Sequence, residues 1–239
     1  MHDVYWNYPV EESDGIFASV ASAAFDKILG GIGDVDVTKL VSAVERGAEE
    51  GRLIAWMRND DEQNAIKETG IDASLPDPDD PSADPVAGVY FNNLSFSKLD
   101  WYLNADTQIG QGVKNGDGTC SYRITVTLTN IMTQEEAGKL PDYVAASAPG
   151  TSRDDERLYV SLFAPTGGSI TDLTVEGTQF GLFVATWHGV PCYSGTVDLH
   201  AGETTTITYT LTTSAEAGDK PLALRQTPTC QAARDSASA

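Results

Sequence analysis

The chain has 239 residues, of which 41% are hydrophobic and 21% are charged, and this length allows one large domain or two small ones. Its 35 acidic and 15 basic residues give a formal net charge of −20, which repels nucleic-acid phosphates and anionic lipid headgroups. We therefore expect no nucleic-acid partner. No run reaches the ~18 apolar residues of a membrane span, so we also expect that this chain does not cross a membrane.

Residues 1–75 show helix patterns. Ser13 is the predicted N-cap of a helix over about 14–29, Asp36 of a second helix, and Asn59 of a third helix that ends at Gly70. The predicted buried stripes are Ile16, Val20, Ala24 and Ile28 in the first helix, and Leu40, Val41, Val44 and Ala48 in the second.

A single strand pattern interrupts these helices. Residues 52–57, RLIAWM, form an apolar run of strand length and are predicted to be buried. One short strand needs neighbours, so the order helix, helix, strand, helix predicts the tail of a truncated α/β domain. Because Met1 leads almost directly into the apolar Val4, we expect the natural protein to continue upstream.

Residues 76–85, PDPDDPSADP, hold four prolines and four aspartates and are predicted to be a linker. The sharper alternative is a calcium site. Calcium needs six to eight converging oxygens, whereas proline holds a chain extended, so we predict no metal or cofactor here.

Residues 86–230 contain eight or nine short strand patterns, and residues 231–239 are predicted to be a frayed tail. The stretch 86–103 is predicted to form the first strand pair, with Trp101 and Tyr102 differing in burial. Period-two alternation predicts a buried face made of Tyr122, Ile124, Val126, Leu128, Ile207, Tyr209 and Leu211. The predicted fold class is α+β, a short helical segment followed by an antiparallel immunoglobulin-like β-sandwich.

No nucleophile, metal-binding or phosphate-binding motif occurs in the sequence, so we predict no catalytic residue. His188 is expected at a strand end or in a loop. Candidate interaction residues lie near the start of the β region. Asn92 and Asn93 are turn residues or ligand contacts, Lys98 and Asp100 are a surface ion pair or a functional pair, and Trp101 follows them.

Three cysteines leave two alternatives open. One disulfide with one free thiol fits an exported protein, whereas three reduced thiols fit a cytosolic one. We favour a bond between Cys120 and Cys230, with Cys192 and Cys230 as the second choice. Cys120 and Cys192 each open a strand and Cys230 closes the last, so antiparallel neighbours would bring these ends together.

Several stretches carry a family resemblance, and they are GRLIAWMRNDDEQ, GVYFNNLSFSKLDWYL, YRITVTLTN, LPDYV, RLYVSLFAP and LHAGETTTITYTL. Over residues 4–228 the chain resembles the C-terminal part of the actinobacterial "domain of unknown function 4012" family. The resemblance implies a larger, membrane-anchored envelope protein. The upstream half of that family distantly resembles the LytR–CpsA–Psr transferases, which attach glycopolymers to peptidoglycan.

We therefore expect a non-catalytic, extracellular cell-envelope module that contacts an envelope protein or a glycan. The alternative is the C-terminal part of a LytR–CpsA–Psr-like glycopolymer transferase whose active centre lies upstream of this chain. A third hypothesis is a calcium-dependent adhesion module.

Overall fold

The structure, a computed structural model, describes residues 2–30, 36–69, 71–72, 77–176, 178–179, 183–230 and 236–237. The chain divides into a helical unit, Met1–Ser74 with Pro141–Val144, and a sheet unit, Leu75–Leu140 with Ala145–Ala239. Helices and two mostly antiparallel sheets make the fold class mixed α+β, as the sequence predicts.

Five helices lie in the described residues: α1 His2–Asn7, α2 Val10–Gly30, α3 Val37–Glu49, α4 Asp60–Thr69 and α5 Gln134–Ala137. Two predicted N-caps are confirmed. The Asp36 carboxylate accepts hydrogen bonds from the N–H groups two and three residues later, and the Asn59 side-chain oxygen does the same for α4. Gly70, the predicted end of α4, lies outside the described residues.

The N-cap prediction for Ser13 is wrong. Helix α2 begins four residues earlier than predicted, at Val10, and Ser13 is a buried residue in its second turn. Glu11 and Glu12 favour this earlier start, because acidic side chains in the first turn stabilise the positive end of the helix dipole.

The predicted buried faces of α2 and α3 are largely exposed. Val20 is 63% exposed, and Leu40, Val41 and Val44 are each almost half exposed; the side chain of Ile28 is outside the described set. Amphipathic spacing shows which face of a helix can be buried, but it does not supply the element that covers the face.

Residues 52–57 do not form the predicted buried strand. Trp56 is 75% exposed, and the segment has no regular secondary structure. Its backbone is held at two points, since the Ala55 N–H donates to the Ile71 carbonyl (2.9 Å) and the Met57 N–H donates to Gln63 Oε1 (2.7 Å). No strand within the described residues pairs with it, so the apolar run stays an irregular connection.

The described residues of the sheet unit form twelve strands: β1 Val86–Asn93, β2 Leu103–Ile109, β3 Val113–Lys114, β4 Cys120–Asn130, β5 Glu156–Phe163, β6 Ser169–Val175, β7 Thr178–Gln179, β8 Phe183–Trp187, β9 Val190–Leu199, β10 Thr204–Thr212, β11 Ala223–Gln226 and β12 Ser236–Ala237. The first sheet has the order β11-β1-β5-β9-β8. The second has the order β12-β2-β4-β10-β6-β7, with β3 against β4. Only the β1–β11 and β2–β12 pairs among these are parallel.

One hydrophobic core contains side chains from both sheets, such as Val89 and Val160 from the first and Val126 and Tyr209 from the second. The predicted alternation is confirmed, because six of the seven predicted positions are fully buried: Ile124, Val126, Leu128, Ile207, Tyr209 and Leu211. Tyr122 is half-buried and packs against this core.

The stretch 86–103 does not form a strand pair. β1 pairs with β5 in the first sheet, whereas β2 pairs with β4 in the second. A 3-10 turn, Leu99–Tyr102, leads the chain from one sheet into the other. Adjacent strand patterns predicted a hairpin, but the nine intervening residues allow the crossing that buries one face of each strand in the shared core.

Residues 77–85 are fastened to the sheet unit. Thr166 Oγ1 donates a hydrogen bond to the Asp77 carbonyl, Ser214 Oγ donates to the Pro81 carbonyl, and Lys220 Nζ donates to the Ser82 carbonyl. These partners follow β5 and β10, so the segment forms a strap across strand ends.

The predicted disulfides are absent, since Cys120, Cys192 and Cys230 are all free. The antiparallel pairing that was expected to bring the cysteines together does not occur. β11, the strand that precedes Cys230, pairs parallel with β1 at the edge of the first sheet. Cys120 opens β4 in the second sheet, so it is not the strand neighbour of the chain end that carries Cys230. Cys192 lies in β9, and two strands, β1 and β5, separate β9 from β11 in the first sheet.

Replacing Tyr209 by Phe is expected to stabilise the sheet unit. The Tyr209 side chain is fully buried, and the described residues offer its hydroxyl no hydrogen-bond partner. An unpaired buried hydroxyl costs about 1–3 kcal/mol, so Tyr209→Phe should raise the free energy of unfolding by roughly 1 kcal/mol. Urea unfolding followed by tryptophan fluorescence measures this change. Tyr209→Ala is the control and should destabilise, because it leaves a cavity.

Candidate functional site

Residues 94–102, the β1–β2 loop, present apolar side chains to solvent. Phe96 is 74% exposed, while Trp101 and Leu94 are each more than one-third exposed. Tyr102 is buried at 3% exposure, so the predicted difference between Trp101 and Tyr102 is confirmed. An exposed tryptophan and phenylalanine on one loop form an uncommon surface for so acidic a chain.

Asn93 holds the β1–β2 loop through hydrogen bonds to three residues of the loop. Its Oδ1 accepts hydrogen bonds from Ser95 N–H and Ser95 Oγ, both at 2.7 Å. Its Nδ2 donates to Ser97 Oγ and to Asp100 Oδ2, both at 3.0 Å. Of the two predicted roles for Asn93, the structure therefore supports the turn residue.

Ser95 connects the loop to two other segments of the same chain. Its side chain is fully buried, and its Oγ accepts a hydrogen bond from Arg157 N–H at 3.2 Å. Its carbonyl accepts hydrogen bonds from the N–H groups of Ser147 and Ala148. Two separate segments therefore hold the middle of the loop in place.

Phe96 has a backbone conformation that is rare for a bulky residue. Its φ is 52°, in the left-handed region, which costs about 1–2 kcal/mol for a residue with a Cβ. Ser147 Oγ donates to the Phe96 carbonyl at 3.1 Å and helps to maintain this conformation. The loop thus holds an aromatic side chain in solvent at an energetic cost, a combination that occurs often at functional sites.

The other predicted interaction residues lie on or beside the same loop. Asn92, Lys98 and Asp100 are all exposed, so each is accessible to a ligand. Asp100 accepts the hydrogen bond from Asn93, which makes it part of the loop framework as well as of the surface. Four of the five candidates therefore have accessible side chains, and Asn93 instead supports the loop that carries the others or adjoins them.

Glu156 was not among the residues predicted from the sequence. It is the first residue of β5, and its side chain is fully buried on the same face as Leu158 and Val160. The described residues provide no hydrogen-bond partner for either carboxyl oxygen. Burial, followed by the negative charge of Asp100, raises the pKa of Glu156 to about 9, so the carboxyl is neutral at pH 7. The sequence does carry a signal for this residue, because Glu156 has the same two-residue spacing as the apolar Leu158 and Val160 in a strand that alternates between apolar and polar residues.

A serine, a histidine and an aspartate meet beside β5, but they lack catalytic geometry. His200 Nδ1 lies 3.0 Å from Asp155 Oδ1 and 3.4 Å from Ser152 Oγ. A Ser–His–Asp relay needs one ring nitrogen for the serine and the other for the carboxylate, whereas here both contacts use Nδ1. Ser152 Oγ donates to Asp154 Oδ1 at 2.9 Å, so this group serves to order the loop before β5.

His188, which was predicted at a strand end or in a loop, occupies the turn between β8 and β9. Its ring packs edge-on against Trp187, with 5.4 Å between ring centroids. Within the described residues, no group of three or more His, Cys, Asp and Glu side chains is arranged to hold a metal ion. The described helices also include none that is long and apolar enough to cross a bilayer.

No family model matches the chain, and no curated protein matches it. A protein from Legionella pneumophila described as nutrient-binding is similar over 55% of this chain and 45% of its own, at 11% identity and a TM-score of 0.30. An M1 zinc metallopeptidase from Deinococcus radiodurans is similar over 47% of this chain and 20% of its own, at 10% identity and a TM-score of 0.24. The chain covers less than half of either protein, and likenesses this weak carry no argument.

Replacing Glu156 by Gln should make the stability of the protein less dependent on pH. The folded state keeps a proton up to pH about 9, whereas the unfolded state releases it near 4.5, so the free energy of unfolding of the wild type falls as pH rises between these values. Glu156→Gln lacks this titration. The free energy of unfolding of the variant minus that of the wild type, here called its stability advantage, should therefore increase from about pH 5 to about pH 8.5.

Urea unfolding at several pH values measures this advantage. Glu216→Gln is the matched control, because it removes the charge of an exposed glutamate. An advantage of Glu156→Gln that stays constant across the range would show that Glu156 is ionised in the folded protein.

Replacing Phe96 by Asn should stabilise the fold by about 0.5–1 kcal/mol, because asparagine tolerates the left-handed region better than phenylalanine does. Phe183→Asn is the matched control, since Phe183 is also exposed but lies in a strand without positive φ. Thermal unfolding compares the two variants. A Phe96 variant as destabilised as the control would mean that the loop conformation is not strained.

Proposed function

We propose that this chain is a non-catalytic, extracellular module of a cell envelope, which binds a glycan through the β1–β2 loop. The observation that carries the proposal is that one loop, held by Asn93 and Ser95, presents the strained Phe96 and also Trp101 to solvent. A preorganised loop loses little conformational entropy when a ligand binds. Aromatic faces offer apolar surface to the C–H groups of a sugar ring.

The polar surroundings of the loop fit the same ligand class. Asn92, Lys98 and Asp100 are exposed and offer hydrogen-bond donors and acceptors that suit sugar hydroxyls. The net charge of −20 opposes anionic polymers, so we propose an uncharged or amino-bearing glycan.

The geometry of the polar groups supports a binding role over catalysis. His200 uses a single nitrogen for both Ser152 and Asp155. The neutral Glu156 is buried away from solvent, where it has no access to a substrate.

We also propose that the two sheets form an immunoglobulin-like β-sandwich. A core shared by both sheets and the dominance of antiparallel pairing support this architecture. In such a sandwich the loops cluster at the two ends, which suits a binding loop. Membership of the domain of unknown function 4012 family, and a membrane anchor elsewhere in the full-length protein, remain part of the proposal and rest on the sequence resemblance.

Replacing Trp101 by Ala should weaken glycan binding by at least about tenfold, because buried aromatic anchors dominate contact energies. The measurement is isothermal titration of the protein with soluble fragments of cell-wall polysaccharide and peptidoglycan. Trp187→Ala is the matched control, since Trp187 is an exposed tryptophan far from the loop in sequence, and it should bind like the wild type. Phe96→Asn should weaken binding although it stabilises the fold.

Two outcomes would contradict the proposal. One is equal binding by the Trp101 and Trp187 variants, which would place the site elsewhere. The other is an absence of binding to every glycan while the same loop captures an envelope protein, which would change the ligand class to a polypeptide.

A further inference from the structure

Strand β8 forms an edge of the first sheet and is unusually apolar for such a position. Among the described residues it pairs only with β9. Phe183 is 66% exposed, and Val184 and Trp187 are each 59% exposed. An exposed apolar edge strand is a template for pairing with another chain.

The turn after β8 fixes which backbone groups face outward. His188 and Gly189 have φ values of 48° and 82°, as in the two-residue type I′ turn of a β-hairpin. In that hairpin the flanking residues, Trp187 and Val190, form a hydrogen-bonded pair. Ala185 and Phe183, which lie two and four residues before Trp187, therefore also direct their N–H and C=O groups toward β9.

The remaining residues of β8 direct these groups away from the sheet. Val184 and Thr186 alternate with the bonded positions, so their N–H and C=O groups point to the free edge. The hydrogen bonds of β9 are consistent with this alternation. Pro191 lies opposite Thr186, and its carbonyl accepts a hydrogen bond from Ala164 N–H on the side of β9 that faces away from β8. Two residues with four backbone groups are thus available at the edge.

The opposite edge of the same sheet is protected. β11 contains Arg225 and is flanked in sequence by Pro221 and Pro228, and charge and proline are the usual means of blocking edge-to-edge pairing. β8 contains neither a charged residue nor a proline. The difference within one sheet singles out β8 as an edge that is open to pairing.

We propose that β8 pairs with β8 of a second copy of this chain, in antiparallel orientation about a two-fold axis at Ala185. In this register Val184 of one copy lies opposite Thr186 of the other, and the outward groups form four backbone hydrogen bonds. Ala185 meets its own symmetry mate at a non-hydrogen-bonded position. The two five-stranded sheets join into one continuous sheet.

The side chains of β8 are self-complementary in this register. Phe183, Ala185 and Trp187 share one face, in a large–small–large pattern that is unchanged by the two-fold rotation. Each Phe183 lies opposite Trp187 of the second copy, and cross-strand aromatic pairs are favourable. Residues 183–191 contain no Asp, Glu, Lys or Arg, so the paired strands place no like charges against each other.

The dimer should be weak and strengthened by salt. Five residues per chain bury less than the ~1,200 Å² of a standard interface. Two chains of charge −20 repel each other, and about 1 M salt shortens the screening length to about 3 Å. Sedimentation velocity of the intact chain should therefore show a concentration-dependent rise toward twice the 25.5 kDa chain mass, more pronounced at high salt.

Two variants test the pairing edge. Ala185→Lys places two ammonium groups together at the axis, and Thr186→Pro removes an outward N–H without touching the hairpin bonds; each should raise the dissociation constant at least about tenfold. Ala223→Lys on the protected edge β11 is the matched control and should associate like the wild type. Circular dichroism verifies that each variant is folded.

A cysteine tests the register. In a background of Cys192→Ser and Cys230→Ser, which removes the thiol directly opposite residue 185 in β9 and the exposed thiol, Ala185→Cys should form a disulfide-linked dimer on mild oxidation. Residues at a non-hydrogen-bonded antiparallel position are about 4.5 Å apart between Cα atoms. Ala223→Cys in the same background should not. A chain that stays monomeric at every concentration and salt, or a dimer that tolerates Ala185→Lys and resists this cross-link, overturns the proposal.

Discussion

Burial of one apolar face from each of two β-sheets in a shared core is the interaction on which the rest of the sheet unit depends. The alternation in β4 and β10 aligns Ile124 with Tyr209 and Val126 with Ile207, so their side chains enter the core in register. A core of this kind excludes water, which is why Glu156 must be neutral there. The same strand that carries this carboxyl also anchors the β1–β2 loop, since the Arg157 backbone contacts both Leu94 and Ser95.

The sequence predicts strands well where period-two alternation is strong, because burial of one face leaves little freedom in register. It predicts poorly which strands become neighbours. The expected pairing of β1 with β2 depended on chain order, and the expected disulfide at Cys120 depended on an antiparallel pairing of β4 with the last strand that does not occur. The helical unit shows the second limit. The patterns in α2 and α3 correctly give helices, yet Val20 and Val44 remain exposed because periodicity carries no information about a covering partner.

The candidate site divides along similar lines. Residues such as Trp101 and Asp100 could be selected from the sequence, since aromatic and polar side chains cluster in a break between strand patterns. The supporting role of Asn93 and the left-handed backbone of Phe96 could not, because both depend on the three-dimensional course of the loop. Glu156 was detectable in principle. It lies two residues before Leu158 and four before Val160, which places it in the apolar phase of the alternation in β5.

The strap formed by residues 77–85 has a practical consequence for dissecting the protein. A recombinant fragment that began at β1 would delete the acceptors used by Thr166, Ser214 and Lys220, and three polar side chains at the strand ends would lose their intramolecular hydrogen bonds. A fragment intended to contain the sheets alone should therefore begin no later than about residue 76, so that it keeps the whole proline- and aspartate-rich stretch that composition alone would mark as a dispensable linker.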